Sequence, residues 1–440
     1  MKKLLALGIV ALIIAACAPT TQTQQHVKRT FSPDTAKIWY SVGKDYMMKE
    51  RYDDAIRNFK LALEYDSTFI LAYLDMGKAY IEKAKKAYEE AKTLKSSGND
   101  SLANMAVELA KAYLDSAEAA YRKVSVINPK DSRGWQGLGY MYGIVKKDVE
   151  KGIEYYKKAI ETDPTNYDAM FGLAKLYETA GQVEQADSLY RTAIEGDTAN
   201  VALKRAYGLF LIDQGRYEEA IPYLEAVAKK LPDDKDVRDA LYNAYKTLAE
   251  QYKESNKDTA VFYATKAIAA LDSMIVRDTS NAVLWSKRGT MFEMLGQLKK
   301  QTAYYDSALA CYDRAIAIDP QNPAYYLQKA YLLIDPLKRT AKAREVLKKA
   351  LPLEQSGPDI RATIYFLIGN SYLIDGVRLY NQKNYEASMN TFDQAIAYYN
   401  KALAEPTTEK WSSYVAYVKK MLKAAQDKRQ KAWRKYKGIE

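Results

Sequence analysis

Histidine is all but missing from this 440-residue chain: His26 is the single one. Its scarcity removes histidine triads, histidine-ligated metals and histidine general bases together. Phosphate-binding glycine loops, dinucleotide fingerprints, zinc-type cysteine spacings and nucleophile elbows are missing as well. Adjacent acids do occur, at Asp53-Asp54, Glu89-Glu90, Glu218-Glu219 and Asp233-Asp234. They fall near expected helix starts or in connecting turns, where carboxylates complement the helix dipole or face water. No catalytic residue, metal site or cofactor is therefore expected. Acidic charge is thin at one end. The chain carries a net +11, and residues 401–440 alone hold eleven Lys or Arg against four Asp or Glu. The basic character belongs mainly to that end, so it makes no case for nucleic acid along the body.

The first residues address the chain. Lys2 and Lys3 precede an eleven-residue apolar stretch, Leu4 to Ile14, which is too short to cross about 30 Å of hydrocarbon. Ile14-Ala15-Ala16-Cys17 then resembles the bacterial lipobox. The resemblance implies cleavage after residue 16, acylation of Cys17 and stable membrane anchoring. Residues 17–35 follow as a lipidated cysteine and disordered tether, whose stretch from Ala18 to Ser32 reaches at most about 50 Å. Ala18 rather than Asp follows the cysteine, and no Lys-Asp/Glu export run comes after it. Both features resemble lipoproteins of the outer membrane that face the periplasm. With Cys17 acylated, Cys311 has no partner, and the fold must hold by packing alone.

Residues 36–409 repeat themselves. From Ala36 the chain supplies Trp39, Val42, Gly43, Tyr46, Ala55, Phe59 and Ala62; from Tyr167 it supplies Met170, Leu173, Ala174, Tyr177, Ala186, Tyr190 and Ala193. These offsets, large-Leu-small-Tyr at 4, 7, 8 and 11 and then Ala-aromatic-Ala at 20, 24 and 27, resemble the 34-residue tetratricopeptide repeat. The resemblance implies an all-α fold: a right-handed superhelical solenoid of about nine helix-turn-helix repeats, with residues 410–440 as a basic capping helix. Several units carry insertions between positions 11 and 20. One extra residue falls in the unit of Trp135 and Tyr156, seven in that of Trp285 and Tyr312, thirteen in that of Tyr245 and Leu271, and fourteen in that of Tyr365 and Tyr399. The unit opening at Ile70 carries 28, which reads as an elongated hairpin over about 70–129. Tyrosines at positions 11 and 24 read as packing residues with hydroxyls at helix edges.

Repeats of this kind line a concave face with positions 2, 5 and 9 of each first helix. Those positions bring Lys37, Tyr40, Lys44, Lys78, Arg133, Tyr140, Phe171, Lys175 and Arg205 forward as candidate partner-binding residues. Adjacent helices about 10 Å apart match roughly three residues of extended chain. The expected ligand is thus an extended protein segment with spaced acidic groups. The carboxylate-clamp residues of chaperone-binding repeats are not found. The expected function is a lipid-anchored scaffold or adaptor of the cell envelope, not an enzyme. The rivals are an enzyme or activator acting on cell-wall polymers and a self-assembling spacer.

Overall fold

The computed structural model describes residues 31–439 except 354 and 356. Residues 1–30, with the signal stretch, Cys17 and most of the tether, lie outside the described residues. The described elements are helices joined by short turns, and no strand occurs among the described residues. Two compact units meet in sequence at Asn200 and Val201.

The first unit contains four helical hairpins: α1 (Pro33–Met48) with α2 (Tyr52–Tyr65), α3 (Ile70–Ser96) with α4 (Asp100–Ile127), α5 (Arg133–Tyr140) with α6 (Val149–Thr162), and α7 (Tyr167–Thr179) with α8 (Val183–Gly196). The second contains five more: α9 (Val201–Asp213) with α10 (Tyr217–Lys230), α11 (Lys235–Tyr252) with α12 (Lys257–Arg277), α13 (Ala282–Lys299) with α14 (Thr302–Ile318), α15 (Pro323–Ile334) with α16 (Thr340–Ala350), and α17 (Pro358–Asn381) with α18 (Tyr385–Ala404). A last helix, α19 (Glu409–Tyr436), follows.

Close approach of the two arms explains the small residues. A Cβ built on Gly43 would stand 2.5 Å from the ring of Phe59, and one on Gly289 would stand 2.6 Å from the ring of Tyr312. Glycine at position 8 therefore makes the room that the aromatic at position 24 fills. The rings of Phe59, Tyr121, Tyr156, Tyr312 and Tyr399 are all buried in this way, and that of Tyr190 is buried in the unit that has Ala174 at position 8; each such side chain contributes about 2–3 kcal/mol by leaving water.

Insertions are absorbed without disturbing that packing. The single extra residue after Tyr140 is taken up by one π turn, Met141–Val145, which continues α5 with a wider ring. The 28 extra residues lengthen both arms of one hairpin, to 27 residues in α3 and 28 in α4. The turn between them places Gly98 at φ 78°, a conformation that glycine adopts without steric cost. The arms of the other extended units reach 18 and 21, 18 and 17, and 24 and 20 residues.

Helix α19 closes the second unit. Trp411, Val418, Ala425 and Ala432 recur every seven residues and are buried against a core that includes Phe392, Ala395, Tyr399 and Ala402 of α18. The Trp411 indole donates to Thr363 Oγ1 at 3.2 Å, and Arg429 pairs with Asp393 at 2.5 Å.

Candidate binding surface

In the first unit the expected residues stand on α1, α3, α5 and α7, the first arms of successive hairpins. Four of them gather about a residue that the repeat positions do not single out, Asp75 of α3. Its side chain is only 7% exposed. Tyr40 of α1 donates its hydroxyl to Asp75 Oδ2 at 2.7 Å, and the ammonium groups of Lys44 and Lys78 lie 3.2 Å from the two carboxylate oxygens. Arg133 of α5 is close enough to act electrostatically on both Tyr40 and Asp75, while its own guanidinium forks onto Asp131 at 2.6 and 2.9 Å.

This geometry fixes the charge states. Burial pushes the Asp75 carboxyl up, but the Tyr40 hydrogen bond and the Lys78 and Lys44 charges outweigh it and hold the group below the usual range. Burial and the neighbouring carboxylate raise Tyr40 far above an ordinary phenol. Two half-exposed ammonium groups thus share one buried carboxylate, leaving a local surplus of one positive charge beside a locked phenol. The Tyr40 ring also packs on Phe59 and Phe69, with centroids at 5.7 and 5.1 Å.

Two smaller nodes in the same unit repeat the lysine, acid and phenol. Lys85 donates to Glu82 and to the Tyr140 hydroxyl, both at 2.7 Å, and its ammonium lies 5.1 Å from the Tyr140 ring centre. Burial lowers the Lys85 pKa, but the bonds to Glu82 and Tyr140 more than reverse this. Lys175 sits 3.2 Å from Glu178, whose other bond comes from the Tyr190 hydroxyl at 2.7 Å; Phe171 packs on Tyr190 at 6.2 Å. Among the described residues Lys37 makes only an exposed pair with Asp34 at 3.2 Å. Arg205 belongs to the second unit, where it forks onto Asp234 and reaches Asp236 at 2.7 Å.

Within the first unit the structure therefore brings together Tyr40, Lys44, Lys78 and Arg133, joins Phe171 to Lys175 through Tyr190 and Glu178, and leaves Lys37 outside both groups. Asp75, Glu82, Lys85 and Glu178 are the members that repeat positions alone miss. The available signal was the acid at 75 between the apolar residues Leu74 and Met76, since a buried carboxylate demands partners.

The shifts in these nodes all move titration away from neutrality, which suits fixed charges and not proton transfer. A cleft of about 500 Å³ opens where second arms end, lined in part by Asp131, Asp163, Asn166 and Asp168. Two of its acids are engaged: Asp163 accepts from the Thr165 amide and hydroxyl at 2.9 and 2.7 Å, and Asp131 holds Arg133. In the second unit Cys311 is buried beside Arg288, 3.3 Å from its sulfur, and burial raises the thiol.

Tetratricopeptide repeat models match residues 37–68, 146–195, 180–245 and 290–322. The chain is 38% identical over 84 residues to the type IV pilus assembly protein PilF of Pseudomonas aeruginosa, covering 19% of this chain and 32% of that protein. It is 24% identical over 289 residues to the BBSome complex member BBS4 of Bos taurus, covering 66% and 48%. The chain thus spans less than half the length of either relative. Among solved structures it is similar to YrrB, a repeat protein with an unusual peptide-binding site, at 19% identity over 47% of this chain and 96% of that one, with a TM-score of 0.37. A repeat protein of Parabacteroides merdae aligns at 16% identity over 68% and 99%, with a TM-score of 0.34. Tetratricopeptide repeats are thus recognised in both units, in an all-helical fold of the hairpin-repeat class.

Proposed function

We propose that this protein is a lipid-anchored adaptor of the bacterial envelope, holding an extended acidic segment of a partner protein on the first-arm face of its first unit. The observation that carries the reading is the convergence of Tyr40, Lys44 and Lys78 on Asp75 from two consecutive hairpins. Asp75 positions the two ammonium groups, and their exposed halves supply the recognition. A partner carboxylate placed between them completes the charge balance that Asp75 leaves open. Tyr140 and Phe171 add apolar area along the same unit. The envelope setting is supported by the lipobox-like Ile14 to Cys17.

Two experiments test the two halves. Lys44→Gln, Lys78→Gln and Lys175→Gln combined should weaken capture of partners cross-linked in native membranes and reduce its salt dependence. Undiminished capture at low salt removes the basic face as the site. Cys17→Ser should eliminate acylation and shift the exported chain into the soluble fraction at high salt. A variant that stays membrane-bound at high salt without lipid defeats the anchoring half.

A further inference from the structure

Residues 410–440 contain ten Lys or Arg and two acids, Asp427 and Glu440, so +8 of the chain's +11 sits at this end. Helix α19 carries most of that charge, and its apolar side is already occupied by the second unit's core. Away from that core, Lys420, Ala424, Lys428, Lys431 and Lys435 recur at spacings of three and four, forming one stripe about 23 Å long, while the Tyr417 ring packs edge-on against Phe366 of α17 at 5.7 Å. Lys419 and Lys423 are exposed beside it. Among the described residues Lys419, Lys420, Lys423, Lys428, Lys431 and Lys435 have no carboxylate partner, while Arg429 turns inward to Asp393. Exposed aromatics stand at both ends of the helix: Tyr414 and Tyr417 near its start, Trp433 and Tyr436 near its finish.

From this arrangement we propose that α19 docks by its outer face onto a bilayer surface rich in anionic phospholipid headgroups. The inference goes beyond adaptor function and does not depend on the anchor at Cys17. Composition selects the occupant. Bidentate phosphate recognition at a fixed site favours arginine, whereas this face is built from lysines that no carboxylate among the described residues holds in place. Flexible ammonium groups suit a diffuse negative surface, where each one near the headgroups strengthens adsorption roughly fivefold. Because α18 covers the apolar side, the helix adsorbs without inserting, and its hold must decay with salt over a Debye length of about 8–10 Å.

The test uses the purified chain from Ala18 onward, which keeps every described residue and carries no acyl group. It is sedimented with phosphatidylcholine vesicles, with and without phosphatidylglycerol, at low and high salt. Binding is expected only to the anionic vesicles at low salt. Lys419→Gln, Lys420→Gln, Lys423→Gln and Lys428→Gln together should lower affinity by about several hundredfold, with thermal unfolding unchanged. Equal binding to neutral vesicles, or full retention by the four-lysine variant, overturns the proposal. So does tighter binding to a soluble sulfated polysaccharide than to the anionic vesicles at the same salt, since the face is then a general polyanion site.

Discussion

Lys44 and Lys78 in the first unit lie 3.2 Å from one buried carboxylate, whereas the six lysines on the outer side of α19 have none among the described residues. The same residue type is fixed in one place and free in the other. A lysine tied to a buried acid has a defined position, so it can read the position of a partner's charge. A lysine without such a tie contributes potential but no geometry, and its effect is additive and salt-sensitive. The difference lies in Asp75 and in nothing about the lysines.

Separating the two sides of α19 gives the largest expected effect. Trp411→Ala removes a buried indole that packs on the second unit's core and donates to Thr363; about 3 kcal/mol of stability should be lost in chemical denaturation. The four-lysine change on the outer side should stay within about 0.5 kcal/mol. A comparable loss from both would mean that the outer lysines are structural after all.

Removing the tie itself comes next. Asp75→Ala should destabilise the first unit by about 2 kcal/mol, because the Tyr40 hydroxyl loses a charge-assisted bond and two ammonium groups lose their shared anion. The pH dependence has a definite sign. The folded-state pKa of Asp75 is depressed, so its contribution is present above the unfolded value of about 3.9 and is lost as pH falls through the lower folded value. The stability gap between the parent and Asp75→Asn should be constant from neutral pH to about pH 5 and close below about pH 4. A gap that persists in acid would show that the carboxylate's charge is irrelevant.

Tyr40→Phe is milder, with an expected loss of about 1 kcal/mol, since the ring keeps its contacts with Phe59 and Phe69 and only the hydroxyl is lost. Lys37→Gln should leave thermal unfolding unchanged, because its pair with Asp34 is exposed on both sides.

Much of the fold was legible because repeat spacing encodes packing between neighbouring arms. Gly43 facing Phe59, Gly289 facing Tyr312 and the single surplus residue behind the Met141–Val145 π turn all follow from offsets within one unit. The lysine nodes were not legible in the same way. Asp75 meets Tyr40 across 35 residues, and Lys85 meets Tyr140 across 55; such pairs depend on side-chain reach between hairpins, which no fixed offset specifies. Repeat positions therefore found Tyr40, Lys44 and Lys78 but gave no reason for them to converge. The break between Asn200 and Val201 is equally silent in the sequence, because the units opening at Tyr167 and Val201 are a regular 34 residues apart.

The central claim, that Asp75 turns two lysines into a reader of acidic chain, is tested most directly by calorimetric titration of the chain from Ala18 onward. The titrant is an extended peptide carrying glutamates three residues apart. Lys44→Gln with Lys78→Gln should weaken binding at least about tenfold, as expected for losing charge-assisted contacts, while the four-lysine change on α19 leaves it unaltered. Binding that survives the first pair and disappears with the second set would contradict the account.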